Sequence, residues 1–349
     1  MTDQPTTRRR AGALRAAGRV LLAVGLLPTA AVDAALLAGG RSPALLAALA
    51  AMAVPAVMAG GAVSALALLA RRPRALALAL AVTAPAGVHG LPPVWHARER
   101  ARPVAPCRSA PAQPLRVMTV NVELGGAPAR DLVDLVRHEH PDLLAVQELT
   151  PQLVSDLERA GLDRELPYRH LLPRPSAGGS GLWSIGPIRR QPALTSTRFA
   201  GPRARLDVGG VPVEVVVAHP ASPGPLSYAV WDSEQRGLAA ELARLDDGTP
   251  RIVLGDFNGT TGHAAFRALL QRSRLDDAAD LDGLSAWPGL TWPADRSPMP
   301  PFARIDHVLV SAQWQADDVR TARVRGTDHR ALLAVVSRGR VPGCVSPPG

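Results

Sequence analysis

The stretch "RIVLGDFNGT", residues 251–260, joins an apolar run to two polar side chains that follow directly after it. Arg251 to Gly255 predicts a buried β-strand, because a short apolar run that ends in turn residues is typical of sheet interiors. Asp256 and Asn258 then follow, one residue apart. Alternate side chains of an extended chain point to the same side, so this carboxylate and this carboxamide are expected to face one place.

Five other apolar runs end in, or carry, an Asn, Glu, His or Asp residue. They are "MTVNVE" (118–123), "AVQELT" (145–150), "VVAHP" (216–220), "RIDHVLVS" (304–311) and "GTDHRALLAVV" (326–336). Each polar residue taken alone has an ordinary explanation in a turn or a local ion pair. Their joint occurrence favours one functional site, because catalytic side chains concentrate where rigid strands give way to loops.

The same region alternates strands with helices. The predicted strands are Leu115–Val122, Leu143–Gln147, Gly181–Ile188, Val211–Ala218, Arg251–Gly255, Arg304–Val310 and Ala331–Ser337. The predicted helices are Ala129–His138, Ser227–Leu245 and Ala264–Gln271. Short strands that outnumber the helices predict an α/β sandwich, in which sheets pack together and helices lie outside.

The candidate residues restrict the chemistry. Glu148, Asp256 and Asp328 are hard oxygen ligands, and no Cys motif or HExxH motif accompanies them, so a zinc site is disfavoured. Carboxylates with positions left for water and substrate oxygens suit Mg²⁺ or Mn²⁺. Histidines beside such a site indicate phosphoryl chemistry, in which a metal neutralises phosphate oxygens and a base activates water.

The motifs "VNVE", "QE", "GDFN", "RIDHVLVS" and the late "DH", in this order, resemble the endonuclease/exonuclease/phosphatase superfamily. The resemblance covers about residues 115–338 and implies a four-layer αββα sandwich that hydrolyses phosphate esters. The segment before it looks like that of membrane-anchored actinobacterial members, including teicoplanin-resistance membrane proteins.

The resemblance also implies a metal site for Mg²⁺ or Mn²⁺. Glu148 would be the main ligand, helped by Asn121 and also by Glu123. Asp328 would lie near the metal.

The catalytic roles implied by the resemblance fall on five residues. Asp256 would hold or deprotonate the attacking water, and Asn258 would bind the phosphate. His329 would be a general base or a phosphate contact, oriented by Asp306. His219 would contact the substrate and stabilise the transition state or the leaving oxygen.

Charge is distributed unevenly along the chain. Residues 1–100 hold eleven arginines against three acids, whereas residues 101–349 hold 28 arginines against 27 acids. A nucleic-acid-binding domain usually carries a basic excess. The near-neutral balance of the C-terminal region therefore disfavours a nuclease, although a local basic patch is compatible with it.

The basic N-terminal third contains three apolar runs, Val20–Gly40, Ser42–Ala70 and Ala75–Trp95. Because ~20 apolar residues are enough to cross a bilayer, residues 1–95 are expected to form a membrane anchor of about three transmembrane helices. A signal peptide is the alternative for the first run. Arginines before the first run and between the second and third place both segments in the cytoplasm, and hence the C-terminal domain outside. The "ARERAR" that follows the third run opposes this orientation.

The remaining boundaries follow from composition. Residues 96–114 contain four prolines and predict a linker, residues 115–340 the catalytic domain, and residues 341–349 a tail. Cys107 and Cys344 lie just outside the two ends of the domain. An extracytoplasmic location would permit a disulfide between them, and two unpaired thiols are the alternative.

These observations predict a multi-pass protein of the cell membrane whose extracytoplasmic domain is a Mg²⁺-dependent phosphoesterase. Its substrate would be a lipid-linked or other envelope phosphate ester. The alternative is a metal-dependent nuclease with the same site, so nucleic acid remains a second possible substrate. A catalytically silent binding protein is a third reading, which the complete set of polar residues disfavours. No protein partner is inferred.

Overall fold

The computed structural model describes residues 26–35, 49–90, 114–224, 227–283, 289–294 and 300–338. In the N-terminal part, residues 26–35 are helical, and helices α1 (Ala53–Leu69) and α2 (Pro73–Gly90) pack against each other. Among the described helices, none combines the length and the apolar character that crossing a bilayer requires. The predicted linker (apart from Pro114) and tail, with Cys107 and Cys344, lie outside the described residues.

The described residues between 114 and 338 form two six-stranded sheets. The first sheet consists of β1 (Leu115–Asn121), β2 (Leu143–Gln147), β3 (Tyr168–Leu172), β4 (Ser180–Ser184), β11 (Trp314–Arg323) and β12 (Arg330–Arg338), in the order β11-β12-β1-β2-β4-β3. The second consists of β5 (Ile188–Gln191), β6 (Arg203–Val208), β7 (Val211–Ala218), β8 (Arg251–Asp256), β9 (Leu275–Asp277) and β10 (Asp306–Ser311), in the order β5-β6-β7-β8-β10-β9.

Within the described part of this region, six α-helices accompany the sheets. They are α3 (Ala129–Glu139), α4 (Pro151–Ala160), α5 (Leu162–Glu165), α6 (Tyr228–Arg244), α7 (Ala264–Ser273) and α8 (Ala278–Asp282). Helices α3 to α5 pack on the outer face of the first sheet, and α6 and α7 pack on the outer face of the second. The α/β sandwich predicted from the sequence is confirmed.

Strand alternation explains why the central strands are apolar throughout. In β1, Val117 faces the second sheet, whereas Met118 and Val120 face the helices on the other side. In β8, Ile252 faces the first sheet and Val253 faces α6 and α7. Both faces of each sheet are therefore buried, and the period-2 pattern of a half-solvated strand is absent from these strands.

The sheet topology brings the ends of six strands to one edge of the sandwich. Strands β1 and β2 are parallel, as are β7 and β8, so within each pair the carboxyl ends lie side by side. Strands β12 and β10 are antiparallel to β1 and β8, so their first residues lie at that same edge. Sandwich packing then places the two sets of ends opposite each other.

Candidate active site

The candidate site lies at this edge, and each predicted residue occupies a strand end or the loop beside it. Asn121 ends β1 and Glu148 follows β2, whereas His219 follows β7. In the β8–β10 pair, Asp256 and Asp306 lie directly opposite each other in the register. The remaining members are Glu123, Asn258, Asp328 and His329, which lie in the loops next to β1, β8 and β12.

One amide joins the two sheets at this site. The Asn121 Nδ2 atom donates to Glu148 Oε1 at 3.1 Å and to Asp256 Oδ2 at 3.0 Å. Two carboxylates from different sheets thus converge on a single nitrogen. The other Glu148 oxygen, Oε2, accepts from the backbone of Leu124 at 2.7 Å. A pair of like charges held this close provides a strong local field for a cation.

An Asp–His pair lies beside these carboxylates. His329 Nδ1 donates to Asp306 Oδ2 at 2.9 Å, and the opposite ring nitrogen, Nε2, lies 3.7 Å from Asp256 Oδ2. On the other side of Asp256, His219 Nε2 lies 3.8 Å from the same oxygen. The Asp256 carboxylate is therefore flanked by two imidazoles. All four side chains are buried.

The two histidines differ in protonation state, because nearby carboxylates offset the effect of burial at His329 and not at His219. Burial, together with the neighbouring His329, lowers the pKa of His219 to about 3, so this ring is neutral. Burial also lowers the pKa of His329, but Asp306 and Asp256 outweigh it and raise the pKa to about 10, so this ring is an imidazolium. Burial raises the pKa of Asp256, and His329 only partly offsets that effect.

The loops that carry the half-buried members adopt an uncommon backbone conformation. Nine non-glycine residues of the described chain have positive φ, and four of them, Glu123, Leu124, Glu148 and Asn258, lie at this site. The left-handed region is sparsely populated by non-glycine residues and persists only where the surroundings enforce it. Its concentration here is typical of a functional site.

The structure brings all nine predicted site residues together. Glu123 Oε2 accepts from the backbone of Asp328 at 2.9 Å, and Asp328 Oδ1 lies 3.7 Å from His329 Nε2. Asn258 donates from its backbone nitrogen to Asp256 Oδ1 at 2.8 Å. Each member is thus linked to at least one other.

Sequence reasoning missed several supporting side chains. Thr327 donates to the Asn121 carbonyl at 2.8 Å and accepts from His329 N at 3.1 Å, so one hydroxyl joins β1 to the histidine loop. Trp292 donates from Nε1 to Asp328 Oδ2 at 3.0 Å. The Phe199 ring lies 4.8 Å from the His219 ring, centroid to centroid. Of these contacts, local sequence could have indicated only that of Thr327, because a Ser or Thr hydroxyl often bonds the backbone two residues further on.

The residues present fit a divalent cation. Asp256, Asp306 and His329 place potential ligand atoms within 4.8 Å of one another, a grouping that recurs nowhere else in the described residues. Because the His329 ring is protonated and has no free lone pair, the two carboxylates are the donors of this group. One Asp306 oxygen already accepts from His329, whereas its other oxygen, Oδ1, is buried and has no hydrogen-bond partner among the described residues. The Glu148 and Asp256 carboxylates converge beside this group. Such an oxygen-rich donor set suits Mg²⁺ or Mn²⁺.

Comparison with solved structures shows the same fold. TDP2 from C. elegans matches with a TM-score of 0.52 and 14% identity, over 65% of this chain and 76% of that one. A humanized D. rerio TDP2 matches with a TM-score of 0.51 and 15% identity, over 64% and 98%. A functionally unknown conserved protein from Enterococcus faecalis V583 gives 0.51 and 15%, over 64% and 100%. These identities establish a shared architecture and no more.

A search of curated proteins found no significant match. A family model, in contrast, matches residues 118–329, more than half of the chain. The matched segment begins in β1 and ends at His329, so it contains every residue of the site described above. The family comprises divalent-metal-dependent phosphoester hydrolases and nucleases, which agrees with the oxygen-rich donor set. The chain belongs to the endonuclease/exonuclease/phosphatase family.

Proposed function

We propose that this protein is a divalent-metal-dependent phosphoester hydrolase whose reaction takes place between the ends of the two sheets. The observation that carries the proposal is the convergence on Asp256: a second carboxylate shares its amide donor, and two imidazoles, one neutral and one positively charged, flank it. Hydrolysis of a phosphate ester requires a proton acceptor for water and positive groups for the developing charge. This arrangement supplies both.

Glu148 and Asn121 are the residues best placed to hold the metal, because the Glu148 carboxylate is half-buried at the mouth of the site. Glu123 and Asp328 are the further candidates, and the hydrogen bond between them keeps both at this end of the sandwich. When bound, Mg²⁺ or Mn²⁺ would neutralise charge on the phosphate oxygens.

Four side chains of the site have separate roles in proton transfer and in binding the phosphate. Asp256, whose pKa is raised by burial, is suited to accept a proton from the attacking water. His329 carries a positive charge, and Asp306 fixes its Nδ1 proton, so its Nε2 proton can stabilise the phosphate. His219 is neutral and can hydrogen-bond the leaving oxygen. Asn258 uses one amide proton on the Pro220 carbonyl at 3.0 Å and retains a second for a phosphate oxygen.

We infer a lipid-linked or other envelope phosphate ester as the substrate, from the composition of the chain. The apolar, arginine-flanked residues 1–95 are suited to hold the domain at a membrane, outside the cytoplasm. The site lies at the far end of β1 from the linker, a distance of ~20 Å for seven residues of strand. A 19-residue linker that spans up to ~65 Å leaves the domain room to turn this end towards lipid.

The location is tested by two C-terminal fusions of the full chain. A fusion to alkaline phosphatase should be active and a fusion to green fluorescent protein dark, because the arginine pattern favours export of the C-terminal domain. An immunoblot of each fusion controls for expression. The reverse pattern would place the domain in the cytoplasm and remove an exterior substrate from the proposal.

The substrate class is tested with the purified full chain in detergent. We expect a polyprenyl phosphate or another lipid phosphate to be hydrolysed faster than plasmid DNA, because 28 arginines against 27 acids give the region from residue 101 onwards no overall basic charge for nucleic acid. EDTA should stop the reaction, and added Mg²⁺ or Mn²⁺ should restore it. Released phosphate and plasmid nicking are the two measurements.

The contrary outcomes are distinct. Metal-dependent plasmid cleavage without turnover of lipid phosphate would replace the proposed substrate with nucleic acid and leave the site assignment intact. Hydrolysis of lipid phosphate that persists at full rate in EDTA would contradict the metal-dependent reaction.

A further inference from the structure

The loop that follows β8 is held from inside the protein on both sides of Asn258. The Phe257 carbonyl accepts from Gln235 Nε2 at 2.6 Å, and the Gly259 carbonyl accepts from His307 Nε2 at 2.8 Å. Gln235 comes from α6 and His307 from β10, and both side chains are fully buried. Side chains from two separate elements of the core thus hydrogen-bond the carbonyls on either side of Asn258 and direct them into the protein.

His307 is itself fixed by a buried ion cluster. Its Nδ1 atom lies 2.7 Å from Asp277 Oδ2, and Asp277 also lies 3.4 Å from the Arg304 guanidinium. Burial raises the pKa of Asp277, but Arg304 and His307 outweigh it and lower the pKa to about 2, so the carboxylate is ionised. The His307 ring is thus hydrogen-bonded through both nitrogens, and it donates from Nε2 because the Gly259 carbonyl can only accept.

These contacts determine where Asn258 points. Within residues 251–260 it is the one residue that is half-buried, whereas all the others are buried. Its φ of 49° lies in the left-handed region, which Asn tolerates better than most residues but which still needs support from its surroundings. With the carbonyls on either side directed into the core, the Asn258 side chain is left facing the site.

We propose that His307 and Gln235 are positioning residues that hold Asn258 in its left-handed conformation at the site. The proposal rests on the proposed function, in which Asn258 contacts the phosphate. Neither side chain reaches the reacting atoms, and both act through the backbone of the loop. A displacement of such a contact by ~1 Å can lower the rate about 10²-fold.

Two substitutions of His307 separate positioning from a purely structural role. The amide nitrogen of Gln can replace Nε2, so His307→Gln retains the donor to Gly259 and loses the hydrogen bond to Asp277. The amide nitrogen of Asn can replace Nδ1, so His307→Asn retains a hydrogen bond to Asp277 and loses the donor to Gly259. Both variants remove a buried ring and are expected to lower the melting temperature. Gln235→Met, which removes the donor to Phe257, should behave like His307→Asn.

The kinetic test measures kcat and KM of the full chain for bis(p-nitrophenyl) phosphate with Mg²⁺, well below the melting temperature of each variant. We expect kcat/KM to fall about 10²-fold in His307→Asn and to stay close to wild type in His307→Gln. Equal losses in the two variants, or no loss in either, would overturn the proposal.

Amide hydrogen exchange provides a measurement that does not depend on activity. The Asn258 amide donates to Asp256 and the Thr260 amide to His263, so the loop amides are protected when the loop is in place. Exchange in residues 256–262 should be faster in His307→Asn than in His307→Gln, with α3 unchanged in both. Identical exchange in the two variants would refute the positioning role, whether or not the protein hydrolyses the tested esters. A wild type that hydrolysed none of these esters would, in contrast, count against the proposed function and leave the positioning role to be decided by exchange.

Discussion

Glu148→Gln and Asp256→Asn are each expected to lower the rate of hydrolysis by about 10²–10⁴-fold while the domain stays folded. Each substitution removes a negative charge at the point where the Asn121 amide joins the two carboxylates, with little change in shape. In Asp256→Asn the proton acceptor for water is also lost. The measurement is kcat/KM with saturating Mg²⁺, alongside a circular dichroism melt.

Matched substitutions on the surface control for the change of charge itself. Glu158→Gln and Asp134→Asn make the same chemical changes at exposed positions on α4 and α3, where the side chains form surface ion pairs with Arg169 and Arg137. Because exposed ion pairs contribute ~0–1 kcal/mol, both controls should retain wild-type activity and stability. Activity within a few-fold of wild type in both site variants would refute the assigned site.

Asp306→Asn is expected to lower the rate by a similar factor and to change its pH dependence. The Asp306 carboxylate orients His329 through Nδ1 and helps raise the pKa of that ring to about 10. Without the carboxylate, the pKa of His329 falls, so the ring loses its proton at a lower pH. If the imidazolium stabilises the phosphate, activity should decline on the alkaline side at a lower pH in the variant than in the wild type.

The measurement is a profile of kcat/KM against pH from 5 to 10 for wild type, Asp306→Asn and His329→Gln. His329→Gln cannot titrate at this position, so its weak residual activity should lack the alkaline decline that this ring causes. An alkaline limb that stays in the same place in Asp306→Asn would mean that another group controls it. His138, an exposed histidine on α3, provides a surface control as His138→Gln.

Strand boundaries agreed with the sequence where strands are buried on both faces. Leu143–Gln147 and Val211–Ala218 were predicted with the observed ends, and Arg251–Gly255 and Leu115–Val122 differ by one residue. Such strands form continuous apolar runs that stand out from their surroundings. The three predicted helices also agree with the structure, since their ends differ from those of α3, α6 and α7 by at most two residues.

Edge strands were missed or merged. Gly181–Ile188 was predicted as one strand, but the chain turns after Ser184, and β5 begins at Ile188 in the other sheet. The prediction contained no strand for the edge strands β3, β9 and β11 or for β6, which lies between β5 and β7, and no helix for α4, α5 or α8. Edge strands such as β5 and β11 carry charged residues on their exposed faces, so their local pattern does not differ from that of a loop. Their pairing is decided by neighbours distant in sequence.

The sequence by itself determined the composition of the candidate site, because the polar residues that end apolar runs can be read from local pattern. It also determined the α/β class and the preference for a hard metal ion. The relation between those residues was decided only by tertiary structure. Asn121 and Asp256 are 135 positions apart, and Asp306 and His329 come from different sheets, so their contacts depend on sheet order and register. The different charge states of the two histidines, neutral His219 and positively charged His329, likewise arise from burial and from carboxylates brought close by folding, which no local pattern encodes.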